Sequence, residues 1–281
     1  MQNAVIRTKN FTRRSPSIPR RLLRDGAVHL VPAYYALRLS DLAREAIDHS
    51  GSYRFADHIY RGRPSGRTAV GRWIDRRLLT MPAAQAFRRR CEHAQEVVRR
   101  ALEANPRTLA PLRMLAVPCG IPRDLVNLAR TLRSTRPALL ARLEYHGLDI
   151  DPLALDLARS LTARAGITTA HFHVGNALLR HEYPDGPFDV VVSTGLGEFL
   201  RDDELARFYT IVWEQLVPGG TFYTSATAFD RRSDVLLRMA EIVAHYRSAR
   251  AVEGIFRRLP WSRLAVTVDR TRLQTFVTAT K

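Results

Sequence analysis

Four residues beyond position 111 are of types that could bind a ligand or act on one: Gly120, Asp149, Asn176 and Glu198. Each closes or follows a short apolar run, in PLRMLAVPCG, RLEYHGLD, AHFHVGN and FDVVVSTGLGE. A carboxylate can accept both hydroxyls of a ribose, and Asp149 stands 29 positions after Gly120, within reach in a βαβ unit. Asp151 precedes Pro152 and suits a helix N-cap instead. Asn176 carries a donor and an acceptor and could read an adenine edge. Ser193, Thr194 and a Gly-Leu-Gly turn lead to Glu198, a candidate base or substrate anchor whose alternative is a solvated loop carboxylate. Tyr60 and His245 are further candidates for catalysis. The loop AVPCGIPRD is a poor phosphate cradle, because Pro122 has no N–H and Pro118 fixes its own φ. That argues against NAD or FAD and leaves room for a phosphate-free ligand approached closely at Gly120.

These residues need strand ends to hold them. From residue 112 short β-type runs alternate with helical ones, the pattern of a parallel sheet with crossover helices. Strands are expected at 113–118, 142–149, 169–175, 188–194 and 221–226, and parallel sheets bind ligands at the carboxyl ends of such strands. Leucines recur through PLALDLARSLTARAG, which Gly166 closes, and RDDELARFYTIVWEQL is an amphipathic run ended by PGG. The tail SRLAVTVDRTRLQTFVTATK reads as two strands of an antiparallel hairpin. The fold class expected is therefore α/β, a Rossmann-like parallel sheet with a C-terminal antiparallel hairpin, preceded by a helical N-terminal cap.

Three regions follow: a basic, mobile segment over 1–25, a helical substrate region over 26–111, and the sheet domain over 112–281. PAYYALRLSDLAREAIDHSG reads as one helical pattern, and Pro82 divides the long pattern of 68–106 into two helices. The net charge of +17 is uneven, with 21 basic against 8 acidic residues in the first hundred. Such a block can attract nucleic acid, an anionic membrane surface or an acidic substrate. No apolar run reaches the length of a membrane span and the N-terminus lacks a secretory h-region, so a cytoplasmic protein is expected. Cys91 and Cys119 have no metal or redox spacing. His171 and His173 share a strand face, but no third ligand lies nearby in sequence and no metal is expected.

Taken in order, GLDIDP, HVGNA, FDVVVSTGLGEFL and LVPGGTFY resemble the class I S-adenosylmethionine-dependent methyltransferases over residues 112–281. VPCGIPRDL, STGLGEFL and the run ending AHYRSA are similar to a bacterial branch of that family whose members are sometimes fused to α/β-hydrolases. The resemblance implies S-adenosylmethionine as cofactor, with Asp149 on the ribose, Ile150 packed on the adenine and Asn176 at its amino group. Gly120 would face the methionine part, and Val117, Cys119, Ala177, Ser193 and Thr194 would complete the cofactor site. The chain departs from the family pattern at Ala116, where an acidic residue is usual, at Pro118 and Pro122, where glycines are, and at Asn176, where Asp is.

The resemblance implies direct transfer of a methyl group to a small-molecule or lipid-type acceptor. Rival readings are an RNA methyltransferase clamped by the basic N-terminal region, and a degenerate methyltransferase fold that only binds. YRFADHIYRGRPSGR, with Tyr53, Arg61 and Arg63, is expected to form a flexible lid segment facing an anionic acceptor.

Overall fold

The computed structural model describes residues 17–49, 53–104, 110–239 and 243–281. In chain order its elements are α1 (Ser17–Arg24), α2 (Leu30–Leu37), α3 (Asp41–Asp48), α4 (Tyr53–Arg61), α5 (Ala69–Leu79), α6 (Pro82–Ala104), β1 (Leu112–Ala116), α7 (Arg123–Thr135), α8 (Pro137–Leu140) and β2 (Leu143–Asp149). There follow α9 (Pro152–Ala165), β3 (Thr169–Val174), β4 (Phe188–Ser193), α10 (Asp202–Gln215), β5 (Leu216–Thr227), α11 (Arg231–Met239), α12 (Ala249–Phe256), β6 (Arg263–Val268) and β7 (Gln274–Thr280). The chain divides into two compact units, Met1–Gln85 with Asp230–Val243, and Ala86–Phe229 with Ala244–Lys281.

The first unit is helical, around Ile18, Leu22, Tyr34, Ala46 and Ile47, with Leu237 of α11 packed against them. Part of the segment expected to be mobile is the helix α1; Pro19 lies in its first turn, where no intrahelical N–H bond is lost. Residues 1–16 lie outside the described residues. The single pattern over 32–51 is two helices, because Ser40 leaves helical geometry to cap α3, its Oγ accepting from Ala43 N at 3.0 Å. The same hydroxyl bonds the buried Asp75. Asp75 also accepts from Leu42 N at 3.2 Å and Ser65 N at 2.9 Å, and lies 3.3 Å from His58 Nε2, so one carboxylate ties α3, α4 and α5 together.

The segment expected to be a flexible lid is a helix up to Arg61, with Asp57, His58 and Ile59 buried. Its helix-breaking residues, Gly62, Pro64 and Gly66, all come after that point, which leaves nine residues free to coil.

The second unit is a seven-stranded sheet in the order β3-β2-β1-β4-β5-β7-β6, parallel from β3 to β5 and antiparallel through β7 and β6. The fold class is the expected one. Alternation along the strands feeds two cores. Leu112, Met114 and Ala116 of β1 join α6, α7 and α9 on one face, and Leu115 with Val117 joins α10 and α12 on the other. From Ala86 onward α6 belongs with the sheet, so the helical N-terminal region expected over 26–111 contributes to both units. Asp151 caps α9 by accepting from Leu153 N at 2.9 Å, and Gly166 ends it at φ +91°, a left-handed conformation that favours glycine. The run through PGG differs from expectation: α10 stops at Gln215, and β5 begins at once because Leu216 pairs with Phe188 before a shift in register carries Thr221 beside Val190.

Candidate functional site

The strand order reverses between β1 and β4, so the loops leaving those strands diverge and open a crevice at their carboxyl ends. The loop after β1 is held there by main chain: Val117 N donates to Val192 O and Cys119 N to Leu148 O, both at 2.9 Å. Gly120, at φ +45°, then turns its N–H onto Asp149 Oδ2 at 2.7 Å. The other oxygen, Oδ1, accepts from Asp151 N at 3.0 Å. Asp149 is buried, and that burial pushes its carboxyl above the usual aspartate range while the N–H groups of Asp151 and Gly120 pull it back. A carboxylate has about four lone-pair sites, so two stay available for other donors. Beside it Ile150 is exposed.

Cys119 packs inward against Gly147, where an added Cβ would sit 3.0 Å from the Sγ, and burial raises its thiol pKa. Burial likewise pushes the Cys91 thiol up to about 12, so neither cysteine is a nucleophile at neutral pH. Val117 is wholly buried in the sheet core, which leaves its backbone rather than its side chain for the crevice. Asn176 caps the turn after β3: its Oδ1 accepts from Leu178 N at 2.9 Å, and its own N donates to Glu182 Oε2 at 2.6 Å. Ala177 follows it, half-buried, with its carbonyl accepting from Tyr183 Oη at 2.7 Å. Ser193 ends β4 and is buried, while Thr194 is half-buried.

Glu198 lies in a 3-10 turn, Gly197–Phe199, and is buried. The alternative of a solvated loop carboxylate is therefore wrong. Its Oε1 accepts from Thr227 Oγ1 at 2.6 Å and lies 3.4 Å from Arg90 Nη1, and Arg90 is only 2% exposed. Among the described residues Oε2 is buried with no hydrogen-bond partner. Gln274, whose Nε2 donates to Thr227 Oγ1 at 2.7 Å, likewise has a buried Oε1 without one. His245 is joined to Glu198 by its main chain, its N donating to Glu198 O at 2.7 Å, while its ring is exposed. Tyr60, Tyr53, Arg61 and Arg63 belong to the other compact unit.

Three positioning or charged residues escaped the sequence reading. Arg90, on α6, lies over the ring of Phe87 at 4.1 Å and beside the turn at Gly195. Arg247, buried, holds the Glu198 turn from below, donating to Gly197 O and Leu200 O at 2.6 Å and to Asp202 at 2.8 Å. It stands in the AHYRSA run. Asp124, in the first turn of α7, has its carboxyl pushed up by burial and pulled down by the helix N–H groups of Leu125 and Asp124 and by Arg90. Nothing distinguishes these two arginines in a chain whose basic residues, apart from Lys9 and Lys281, are all arginine.

A family model described as "Putative methyltransferase" matches residues 43–229, well over half of the chain. The chain belongs to that family. This methyltransferase-family chain has the Rossmann-like fold of the class I S-adenosylmethionine-dependent enzymes. Its sheet is similar to solved structures at low identity, which speak for the fold alone. One is a protein of Bordetella parapertussis described as a possible exported protein, 23% identical over 94% of this chain and 93% of that one, with a TM-score of 0.75. Another is the magnesium protoporphyrin IX methyltransferase of Synechocystis PCC 6803 with bound SAH, 14% identical over 86% of this chain and all of that one, with a TM-score of 0.55. Among curated proteins, ajmaline N-methyltransferase of Rauvolfia serpentina is 34% identical over 95 residues. That match spans 34% of this chain and 29% of the relative. Among the described residues no helix is long and apolar enough to cross a membrane.

Proposed function

We propose that the protein is an S-adenosylmethionine-dependent methyltransferase acting on a small-molecule or lipid-type acceptor that bears an O–H or N–H group. The observation that carries the reading is the buried oxygen Glu198 Oε2, which lacks a hydrogen-bond donor beside the turn that leaves β4. A buried acceptor without a donor costs about 1–3 kcal/mol, and a protonated nucleophile would supply the missing partner. Gln274 Oε1 is a second such acceptor, bonded through the amide to the same threonine.

The residues after β1 and β2 fit the cofactor. Asp149 keeps acceptor capacity for two ribose hydroxyls, and the exposed Ile150 can cover an adenine face. The acidic residue missing at Ala116 has a substitute in Asp124, and with Arg90 it offers opposite charges to a zwitterionic amino-acid end. Asn176 Oδ1 accepts from Leu178 N and keeps a second lone pair, the acceptor that an adenine amino group would need. When bound, S-adenosylmethionine supplies a methyl group already activated on a sulfonium. The protein's own task is then alignment: Arg247 fixes the turn, Thr227 and Arg90 fix one oxygen of Glu198, and the other oxygen orients the acceptor and takes its proton. Arg61, tied to Asp57 at 2.9 Å, and the exposed Arg63, with Tyr53 and Tyr60 on the same helix or next to it, are the residues we assign to attracting an anionic acceptor. Calorimetry with S-adenosylmethionine and S-adenosylhomocysteine tests the core of the reading. Saturable binding of both at one equivalent is expected, and its absence would leave a fold that has lost its ligand.

A further inference from the structure

On the open half of the sheet, away from the crevice, four side chains with metal-binding donors share one face of two neighbouring strands. Glu144 and His146 are two apart on β2, and His171 and His173 are two apart on β3, with His146 directly opposite His171 in the register. The sequence separates the pairs by a whole helix, which is why no third ligand was visible there. Donor atoms of Glu144, His146 and His171 all lie within 4.8 Å of one another. The His146 and His171 ring centroids are 4.8 Å apart, and His146 Nδ1 lies 3.4 Å from His173 Nε2. With bonds of about 2.0–2.1 Å, a tetrahedral ion puts its ligand atoms roughly 3.3 Å apart. Glu144 meets His146 at Nε2 and His173 lies at the ring's other nitrogen, so His173 stands beside the cluster of Glu144, His146 and His171 rather than in it.

The surroundings are those of a ligand set rather than a hydrophobic core. Glu144 Oε1 accepts from Arg113 Nε at 3.0 Å and meets His146 Nε2 at 2.8 Å, so Oε2 is the oxygen left for a cation. Arg113 is anchored in turn by Pro187 O and Asp185 O, which fixes the carboxylate's orientation as metal-site carboxylates usually are.

We propose that Glu144, His146 and His171 bind one divalent transition-metal ion of the zinc type, and that this site clasps β3 to the rest of the sheet. Imidazole nitrogens with one carboxylate favour zinc, cobalt, nickel or copper over magnesium or calcium. The site is independent of the methyl-transfer reading.

The test uses the full chain with any affinity tag removed. Titration with Zn2+ followed by calorimetry should show one saturable equivalent, and Co2+ should give the visible absorption of a four- or five-coordinate ion. Zn2+ should also raise the melting temperature. His171→Ala removes an exposed ligand without disturbing the core and should weaken Zn2+ at least about tenfold, since even outer partners of a metal ligand cost that much. His173→Ala should weaken it less, and His181→Ala, exposed and elsewhere, should leave it unchanged. S-adenosylhomocysteine affinity should not move in any of these variants. No saturable equivalent in the wild type, or undiminished binding in both His171→Ala and the Glu144→Gln variant, would overturn the proposal. Glu144→Gln keeps the shape of the side chain, so the test does not rest on the buried His146.

Discussion

Asp149 at the end of β2 and Glu198 in the turn after β4 are both buried carboxylates, yet they are held by different bonds. Asp149 is gripped by main-chain N–H groups of its own loop and the neighbouring one, Asp151 and Gly120. Glu198 is gripped by side chains brought from far along the chain, Arg90 on α6 and Thr227 at the end of β5, while Arg247 clamps its turn. Main-chain bonds follow from topology and tolerate changes of side chain. Side-chain pairs in a buried setting do not, because each partner left behind keeps its desolvation cost.

The comparison should break first at Arg90. Arg90→Ala strands Glu198 in the interior, and denaturant unfolding should show a loss of about 3–5 kcal/mol. Adding Glu198→Gln to that background should recover part of it, because the uncompensated charge is gone. Equal stability of Arg90→Ala and wild type would show that the pair is not the support described.

Next in size is Glu198→Gln alone. The amide keeps the bond from Thr227 and removes the proposed base, so turnover should fall about 10²- to 10⁴-fold once an acceptor is in hand, with S-adenosylhomocysteine affinity unchanged. An unimpaired variant would reduce Glu198 to architecture.

Asp149→Ala sharpens the other side. It should weaken cofactor binding by about 1.5–3 kcal/mol in calorimetry while the fold persists, since only ligand hydroxyls and replaceable N–H partners lose the acceptor. The carboxyl of Asp149 is raised by burial, and the ribose hydroxyls need its ionised form. Affinity should therefore be full at neutral pH and decline on acidification before the ordinary aspartate range is reached. Asp149→Asn should bind weakly with no such decline, and a wild-type profile flat into that range would contradict the assignment.

The smallest effects belong to Arg61 and Arg63. Arg63 is exposed, so Arg63→Ala should cost no more than about 1 kcal/mol of stability, and Arg61→Ala somewhat more because it takes a partner from the buried Asp57. If they attract an anionic acceptor, both should raise its KM and flatten the salt dependence of kcat/KM. Unchanged kinetics across salt concentrations would show that they do not attract the acceptor.

The contrast between the two carboxylates is also a contrast in legibility. Gly120, Asp149 and Asn176 could be found in advance because a parallel sheet delivers its strand ends to one edge, and each of these residues closes a strand-length apolar run. Asp151 was likewise readable as a cap from the proline after it. The helix at 53–61 departs from the expected loop because its nine residues hold no breaker, and the glycines and proline that favour a coil all follow Arg61. Arg90, Arg247 and Asp124 gave no local sign at all, since burial is what distinguishes one arginine among so many, and burial is a property of the packed chain.

By itself, then, the sequence determined the alternation of strands and helices, the antiparallel finish and the strand-end residues after β1, β2 and β3, because periodicity and turn chemistry act over a few residues. Only the tertiary structure decided that Glu198 is buried against Arg90, that Arg247 holds its turn, and that His146 stands opposite His171. Those pairs lie tens to more than a hundred positions apart, and no short-range rule links residues that meet only when the sheet closes its register and the helices pack upon it.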